Sequence, residues 1–172
     1  MDLITGLTAV SVGALFYTVK YGADLARSRP RRVAHESGHA LLMWRSPYIH
    51  CERATIVSNL MGTDGHCMGL NQKRETVGSV IDSAVVYMGG LAGEAVAHGF
   101  YEIGGGSSDI KRGRAELRKI LGASPPTLRQ AFALAQKRIG DDRRAFDKLR
   151  SALDAHDTLE APQIRAILGP QR

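Results

Sequence analysis

The chain has 172 residues, of which 44% are hydrophobic and 23% are charged. This composition excludes a disordered protein, and the length suits one compact domain with little else. The formal net charge is +6, but no nucleic-acid-binding motif is present and the aromatic residues do not alternate with basic ones, so we expect no nucleic-acid partner.

An uncharged apolar segment occupies residues 3–19, and about 17 residues is the lower limit for a helix that crosses a bilayer. Asp2 precedes this segment, and basic residues follow it. By the positive-inside rule, this arrangement places the rest of the chain in the cytoplasm. We therefore expect a membrane anchor with a basic linker over residues 1–29 and a cytoplasmic domain over residues 30–172. The alternative is an apolar helix that packs on protein in a soluble cytoplasmic chain.

The front of the domain predicts one helix followed by two strands. The helix begins near Pro30 and ends before Pro47. A short β-branched run, ERATIVS at residues 52–58, predicts the first strand, and GHCMGLN at residues 65–71 predicts the second. The turn residues between them are typical of a strand pair.

The rest of the domain is predicted to be helical. Apolar residues repeat with a helical period from 76 to 99, which predicts one long buried helix. Gly89, Gly90 and Gly93 cost helix propensity there, so a close neighbour is expected. A glycine-rich loop follows, then helices over residues 109–121, 126–139 and 142–155 and a last short one after Pro162. The fold class is therefore mainly α with a small β-sheet.

The first predicted helix carries the motif HESGH at residues 35–39. Residues four apart lie on one helix face, so His35 and His39 can direct imidazole nitrogens at one zinc ion. Glu36 lies beside that face and can take a proton from a water that the metal activates. Chance produces such a motif on the order of once per hundred chains like this. The competing interpretation is a pair of hydrogen-bonded structural histidines, but a charged glutamate with small neighbours favours a cleft.

A catalytic zinc usually has three protein ligands, and two downstream residues could supply the third. Glu94 lies on the long predicted helix, and Asp109 lies where the glycine-rich loop enters the next helix. The pattern does not separate them, because a buried glutamate could equally orient a ligating histidine. The other histidines lack ligand spacing and are predicted to be structural or on the surface: His50, His66, His98 and His156.

These residues resemble a known family, the FtsH-type AAA zinc metalloproteases. VAHESGHALL at residues 33–42 resembles that family's AxHEAGHAL segment. GGLAGEAVAHGFYEIGGGSSDIKRG at residues 89–113 resembles its GGRxAEExxFG…TGASNDL segment. The strand pair and the last helices are also similar, so the resemblance covers residues 30–168, the length of the peptidase domain. HExxH followed in order by GG…E and GxSxD is strongly specific for this family.

The resemblance implies an FtsH-peptidase-like zincin domain that binds zinc through His35, His39 and Asp109. It implies that Glu36 is the catalytic base and that Glu94 supports a ligand or packs between helices. Family members pair extended polypeptide with an edge strand. The candidate substrate-binding residues are therefore Gly65, His66, Cys67, Met68 and Gly69.

The chain departs from the family mainly by lacking its ATPase module. No GxxxxGK[ST] motif is present, so ATP-driven unfolding by the chain itself is not expected. A homo-oligomer or a separate ATPase partner is compatible with the resemblance. Ser37 and Ser108 are mild replacements, and Gly93, in place of an alanine, is expected only to loosen local packing.

The function expected from these patterns is that of a membrane-anchored, ATP-independent zinc metalloendopeptidase that cleaves unfolded or flexible polypeptides. The alternative is a non-proteolytic adaptor or regulator that binds an FtsH-type complex. Retention of all three expected ligands and of Glu36 disfavours the adaptor, because a binding module has no need of them.

Overall fold

The computed structural model describes residues 28–57, 66–71, 76–120 and 126–171. The predicted anchor at residues 3–19 lies outside these ranges. Internal contacts divide the chain into two units, Met1–Arg31 and Arg32–Arg172. In the described part of the chain, seven helices and one three-stranded sheet are present, which confirms a mainly α fold with a small sheet.

Helix α1 occupies residues 28–45, of which residues 32–45 belong to the second unit. The remaining elements, in chain order, are β1 (Ile49–Thr55), β2 (His66–Asn71), α2 (Val77–Tyr87), α3 (Gly89–His98), α4 (Ser107–Leu117), α5 (Leu128–Asp141), α6 (Arg143–His156), β3 (Thr158–Glu160) and α7 (Ala161–Leu168).

Local sequence signals set several helix boundaries. Thr76 begins α2 and Thr127 begins α5 with a capping box, in which the threonine hydroxyl accepts a backbone N–H of the first turn. The side chains of Ser79 and Gln130 accept the threonine N–H in return. Helix α3 ends at Gly99, whose φ of 78° lies in the left-handed region that favours glycine.

The sheet has the strand order β2-β1-β3, and both pairings are antiparallel. Ala54 of the central strand pairs with Cys67 on one side and with Leu159 on the other. Between Cys51 and Arg53 the register shifts, as in a β-bulge. Strand β2 is an edge strand within the described sheet, so its outer backbone groups have no strand partner there.

The hydrophobic core connects α1 and the sheet to the C-terminal helices. Trp44 is fully buried, and its indole N–H donates to the carbonyl oxygen of Gly169 at 3.0 Å. Phe146, Leu149 and Leu153 of α6 are buried in the same cluster. These contacts fix the C-terminal half of α1 and leave its His35 end to contact α3 and α4.

The predicted single helix over residues 76–99 is wrong, because the structure has two helices at this place. Helices α2 and α3 are bent by 46° at a break beside Met88. The two glycines that open α3 have low helix propensity, and the carbonyl of Val86 accepts a hydrogen bond from a histidine of α1. The bend therefore leaves the carbonyl oxygen of Val86 as a hydrogen-bond acceptor for His39 of α1.

Among the described helices, none is by itself long and apolar enough to cross a bilayer. Helices α2 and α3 together satisfy the same test of length and composition as a bent pair.

Close contact at the three glycines of residues 89–93 is confirmed, and the neighbour is α1. A methyl group on Gly38 of α1 would lie 2.1 Å from the carbonyl oxygen of Gly89. A methyl group on Gly93 would lie 2.4 Å from the carbonyl oxygen of Ala34. The expectation that Gly93 only loosens packing is therefore wrong, since the helix crossing has no room for a larger residue.

Candidate metal centre

Three side chains from two helices converge beside the crossing of α1 and α3. His35 and His39 lie one turn apart on α1, with their ring centroids 4.9 Å apart. Asp109 is buried in the first turn of α4, and its Oδ2 lies 3.1 Å from Nε2 of His35 and 3.4 Å from Nε2 of His39. The structure thus brings together the three residues that the resemblance implies as ligands.

The opposite nitrogen of each ring is held by a separate partner. Nδ1 of His35 lies 2.6 Å from Oε1 of Glu94, and Nδ1 of His39 lies 2.8 Å from the carbonyl oxygen of Val86. These acceptors keep a proton on Nδ1 in both rings, which leaves Nε2 of each ring for a metal. A tautomer fixed in this way is typical of ligating histidines.

Glu94 lies on the far side of the His35 ring and not among the converging atoms. Its side chain is 1% exposed, and its second oxygen accepts the backbone N–H of Glu102 at 3.1 Å. The spacing in the sequence did not separate Glu94 from Asp109 as a third ligand. The structure groups Asp109 with the histidines and makes Glu94 a support for His35.

The converging atoms fit a zinc ion. One ligand atom from each of the three residues lies within 4.8 Å of the others, and no other such group occurs in the described ranges. Tetrahedral zinc with bonds of about 2.0–2.1 Å places its ligand atoms roughly 3.3 Å apart. The two nitrogen–oxygen distances of 3.1 and 3.4 Å therefore match those expected for zinc.

Glu36 supplies a carboxylate beside these three residues. The residue is 5% exposed, and its Oε2 has no hydrogen-bond partner among the residues that the structure describes. Burial raises the pKa of the Glu36 carboxyl, and the nearby histidines oppose that shift. A buried, unpaired carboxylate oxygen is costly unless it has a ligand or a reaction to serve.

The pKa values of His35 and Asp109 are shifted in opposite directions. Burial opposes protonation of His35, but its hydrogen bonds to Asp109 and Glu94 outweigh burial and raise the pKa of the imidazole to about 9. Burial also disfavours the charged form of Asp109, yet the two histidines hold the pKa of this carboxyl below its usual range. In the metal-free protein, the stability contributed by His35 is present below pH 6.5 and is lost as the pH rises through about 9.

Gly90 is a second backbone feature of the site. A methyl group on Gly90 would lie 2.2 Å from Nε2 of His35, so the ring rests directly on α3. The glycine pattern predicts a close neighbour but does not identify it as His35. Nothing in the sequence identifies the carbonyl of Val86 as a partner of His39, because every residue has a backbone carbonyl. The bend at Met88 is what makes this carbonyl available.

The predicted substrate-binding residues follow the edge strand, except that Gly65 lies outside the described residues. His66 and Gly69 lie on β2 and are exposed, and the side chain of Met68 is also exposed. Cys67 faces inward, and its thiol donates to the backbone carbonyl oxygen of Glu36 at 3.1 Å. Strand β2 is thus in contact with the backbone of the candidate base.

Zinc uptake is expected to depend steeply on pH. A zinc ligand must be a neutral imidazole, so below a pKa of about 9 each zinc bound displaces one proton from His35. The apparent affinity should therefore rise about tenfold per pH unit between pH 6.5 and 8.5, which a chelator competition at several pH values measures. Glu94→Gln weakens a hydrogen bond that raises the pKa of His35. The increase of zinc affinity with pH should therefore level off at a lower pH in this variant. An affinity independent of pH in both proteins would contradict this prediction.

The fold and the site define a helical domain with a candidate metal centre of two histidines and an aspartate. No protein-family model matches this chain, and no curated protein matches it. The resemblance to FtsH-type peptidases therefore rests on the quoted motifs.

Proposed function

We propose that the chain is a zinc metallopeptidase with an FtsH-type peptidase domain. The observation that supports it most is the convergence of both Nε2 atoms on Asp109 while both Nδ1 atoms are held from behind. Structural histidines on a helix face need no such common target. An unpaired carboxylate oxygen of Glu36 beside the same atoms adds the group that a hydrolytic reaction requires.

In the proposed reaction, His35, His39 and Asp109 would hold zinc. A zinc ion held there would lower the pKa of a water molecule and polarise the peptide carbonyl. Glu36 accepts the proton of the attacking water and then donates it to the leaving amine. Glu36 is buried, and burial favours the protonated form that delivers the proton. Glu94 and the carbonyl of Val86 keep the two imidazole rings in position.

The proposed substrate is an unfolded or flexible polypeptide. A peptide that pairs with the outer edge of β2 would be bound through its backbone, which suits many sequences. Cys67 connects that strand to the backbone of Glu36, so a strand-paired substrate would lie close to the base. We further propose that residues 3–19 anchor the chain in a membrane, with the peptidase domain in the cytoplasm, and that an oligomer or a separate ATPase can deliver substrates.

Replacing Glu36 with glutamine tests the proposal directly. The variant should bind one zinc per chain like the wild type, because Glu36 is not among the three ligand residues. Cleavage of a disordered protein should fall by about 100- to 10,000-fold, since a general base contributes that much. Metal content by mass spectrometry and fragment release on gels are the two measurements.

The matched control is Glu160→Gln, which removes an exposed carboxylate from β3 and should leave both values unchanged. Zinc-loaded wild type that cleaves no disordered substrate would contradict the peptidase and favour the adaptor. Wild type that binds no zinc would contradict the metal centre itself.

A further inference from the structure

The outward face of α4, together with the residue that caps its C-terminal end, carries four exposed cations: Lys111, Arg112, Arg114 and Arg118. The opposite face packs inward, since a methyl group on Gly113 would lie 3.1 Å from Leu128 and 3.2 Å from Met88, and Leu117 is buried in the core. Helical geometry places the four cations within one arc around Ala115, which is also exposed. The face is therefore a single cationic surface.

These four cations have no ion-pair partner in the part of the chain that the structure describes. Glu116, the one acidic residue among residues 110–118, is paired with Lys119 at 3.1 Å. In helices α5 and α6, by contrast, acids one turn away pair with some of the cations. Examples are Lys137 with Asp141 at 2.5 Å and Arg143 with Asp147 at 2.8 Å. A face of four like charges without partners suits an anionic surface outside the molecule.

The loop that leads into α4 exposes large apolar side chains. Phe100 is 64% exposed, Tyr101 is 45% exposed and Ile103 is 62% exposed. Glu102 is the only acidic residue among residues 99–106. Aromatic and aliphatic side chains next to cations are typical of segments that lie in the interface of a bilayer, where the rings enter the headgroup layer and the cations contact phosphates.

We propose that the cationic face of α4 and the apolar loop before it dock on the surface of an anionic lipid bilayer. A bilayer offers a plane of phosphates with an apolar layer below, and it thus complements both features. An acidic polypeptide would complement the cations but not the exposed Phe100 and Ile103. The inference does not depend on peptidase activity. Its consequence is positional: Asp109 lies in the first turn of α4, so docking would hold the metal centre at the membrane surface.

The experiment uses the full chain bound to vesicles, with an environment-sensitive dye on Ala115→Cys. Burial raises the pKa of the native thiols Cys51 and Cys67, so a maleimide reacts first with the added surface thiol. The emission of the dye should shift to the blue on vesicles with phosphatidylglycerol and not on pure phosphatidylcholine. A dye on Ser151→Cys, exposed on α6, should not shift on either.

The charge control separates a local face from the net charge. Replacing Lys111, Arg112 and Arg114 with glutamine should lower the equilibrium ratio of protein with this face bound to the bilayer to protein with it free. The expected decrease is on the order of 100-fold, about fivefold per cation. The matched variant replaces three other exposed cations with glutamine: Arg129, Arg144 and Lys148. It removes the same charge and should retain the shift.

Three results would overturn the proposal. One is equal loss of the shift in both triple variants, and another is an equal shift at positions 115 and 151. The third is a shift of the same size with poly-glutamate in the absence of lipid, which would assign the face to acidic polypeptides.

Discussion

Replacing Asp109 with asparagine is expected to lower the affinity for zinc by about 100- to 1,000-fold. Structural zinc sites with four ligands have apparent binding free energies of about 10–16 kcal/mol, or roughly 2.5–4 kcal/mol per ligand. Oδ2 of Asp109 is the atom that both histidines approach, at 3.1 and 3.4 Å. The neutral amide has a similar shape but lacks the charge that the metal requires. Chelator competition at a fixed pH gives the affinity, and circular dichroism checks that the fold is retained.

Two variants make this result specific. Asp141→Asn removes a carboxylate that is 63% exposed on α5 and should bind zinc as the wild type does. Glu94→Gln weakens the support behind His35 and should lower the affinity only about 10- to 100-fold, as is usual for residues that orient a ligand. Should Glu94→Gln cost more than Asp109→Asn, the roles of the two acids would have to be exchanged.

The sequence predicted most of the helices and the shared face of the two motif histidines, because both depend on local patterns. The predicted strand GHCMGLN corresponds to β2 within one residue, and the predicted last helix corresponds to α7, which begins one residue before Pro162 and not after it. Two histidines four apart on α1 must share a face, so their convergence follows from helix geometry alone. The resemblance to the peptidase family added Asp109, which lies 70 positions beyond His39 and which spacing alone did not separate from Glu94.

The features that sequence reasoning missed depend on tertiary contacts. The bend between α2 and α3 was not predicted, because a helical period continues across Met88 and hides the break. Strand β3 has only three residues and exists because it pairs with β1. The carbonyl of Val86 became part of the site through the bend. In each case the local pattern is compatible with more than one structure, and packing selects one.

Alanine at Gly38 is expected to destabilise the folded protein by at least about 3 kcal/mol, the upper end for an overpacked core. The new methyl group would lie 2.1 Å from the carbonyl oxygen of Gly89 and 3.1 Å from Cα of Gly93. Both are backbone atoms, so no side chain can turn away and the two helices would have to separate. Thermal unfolding monitored by circular dichroism should show a melting temperature lower by roughly 10 °C.

Gly140→Ala is the matched control, because this glycine is also helical and a methyl group there meets nothing within 4 Å. Alanine exceeds glycine in helix propensity by about 1 kcal/mol, so this variant should be slightly more stable than the wild type. Helix propensity alone predicts the same gain in stability for Gly38→Ala. A loss of stability in that variant would therefore be due to the close crossing of α1 and α3. If both variants were stabilised, α1 and α3 would not be in close contact. The hydrogen bond from His35 to Glu94 spans these two helices, so its 2.6 Å distance would then lose its structural basis.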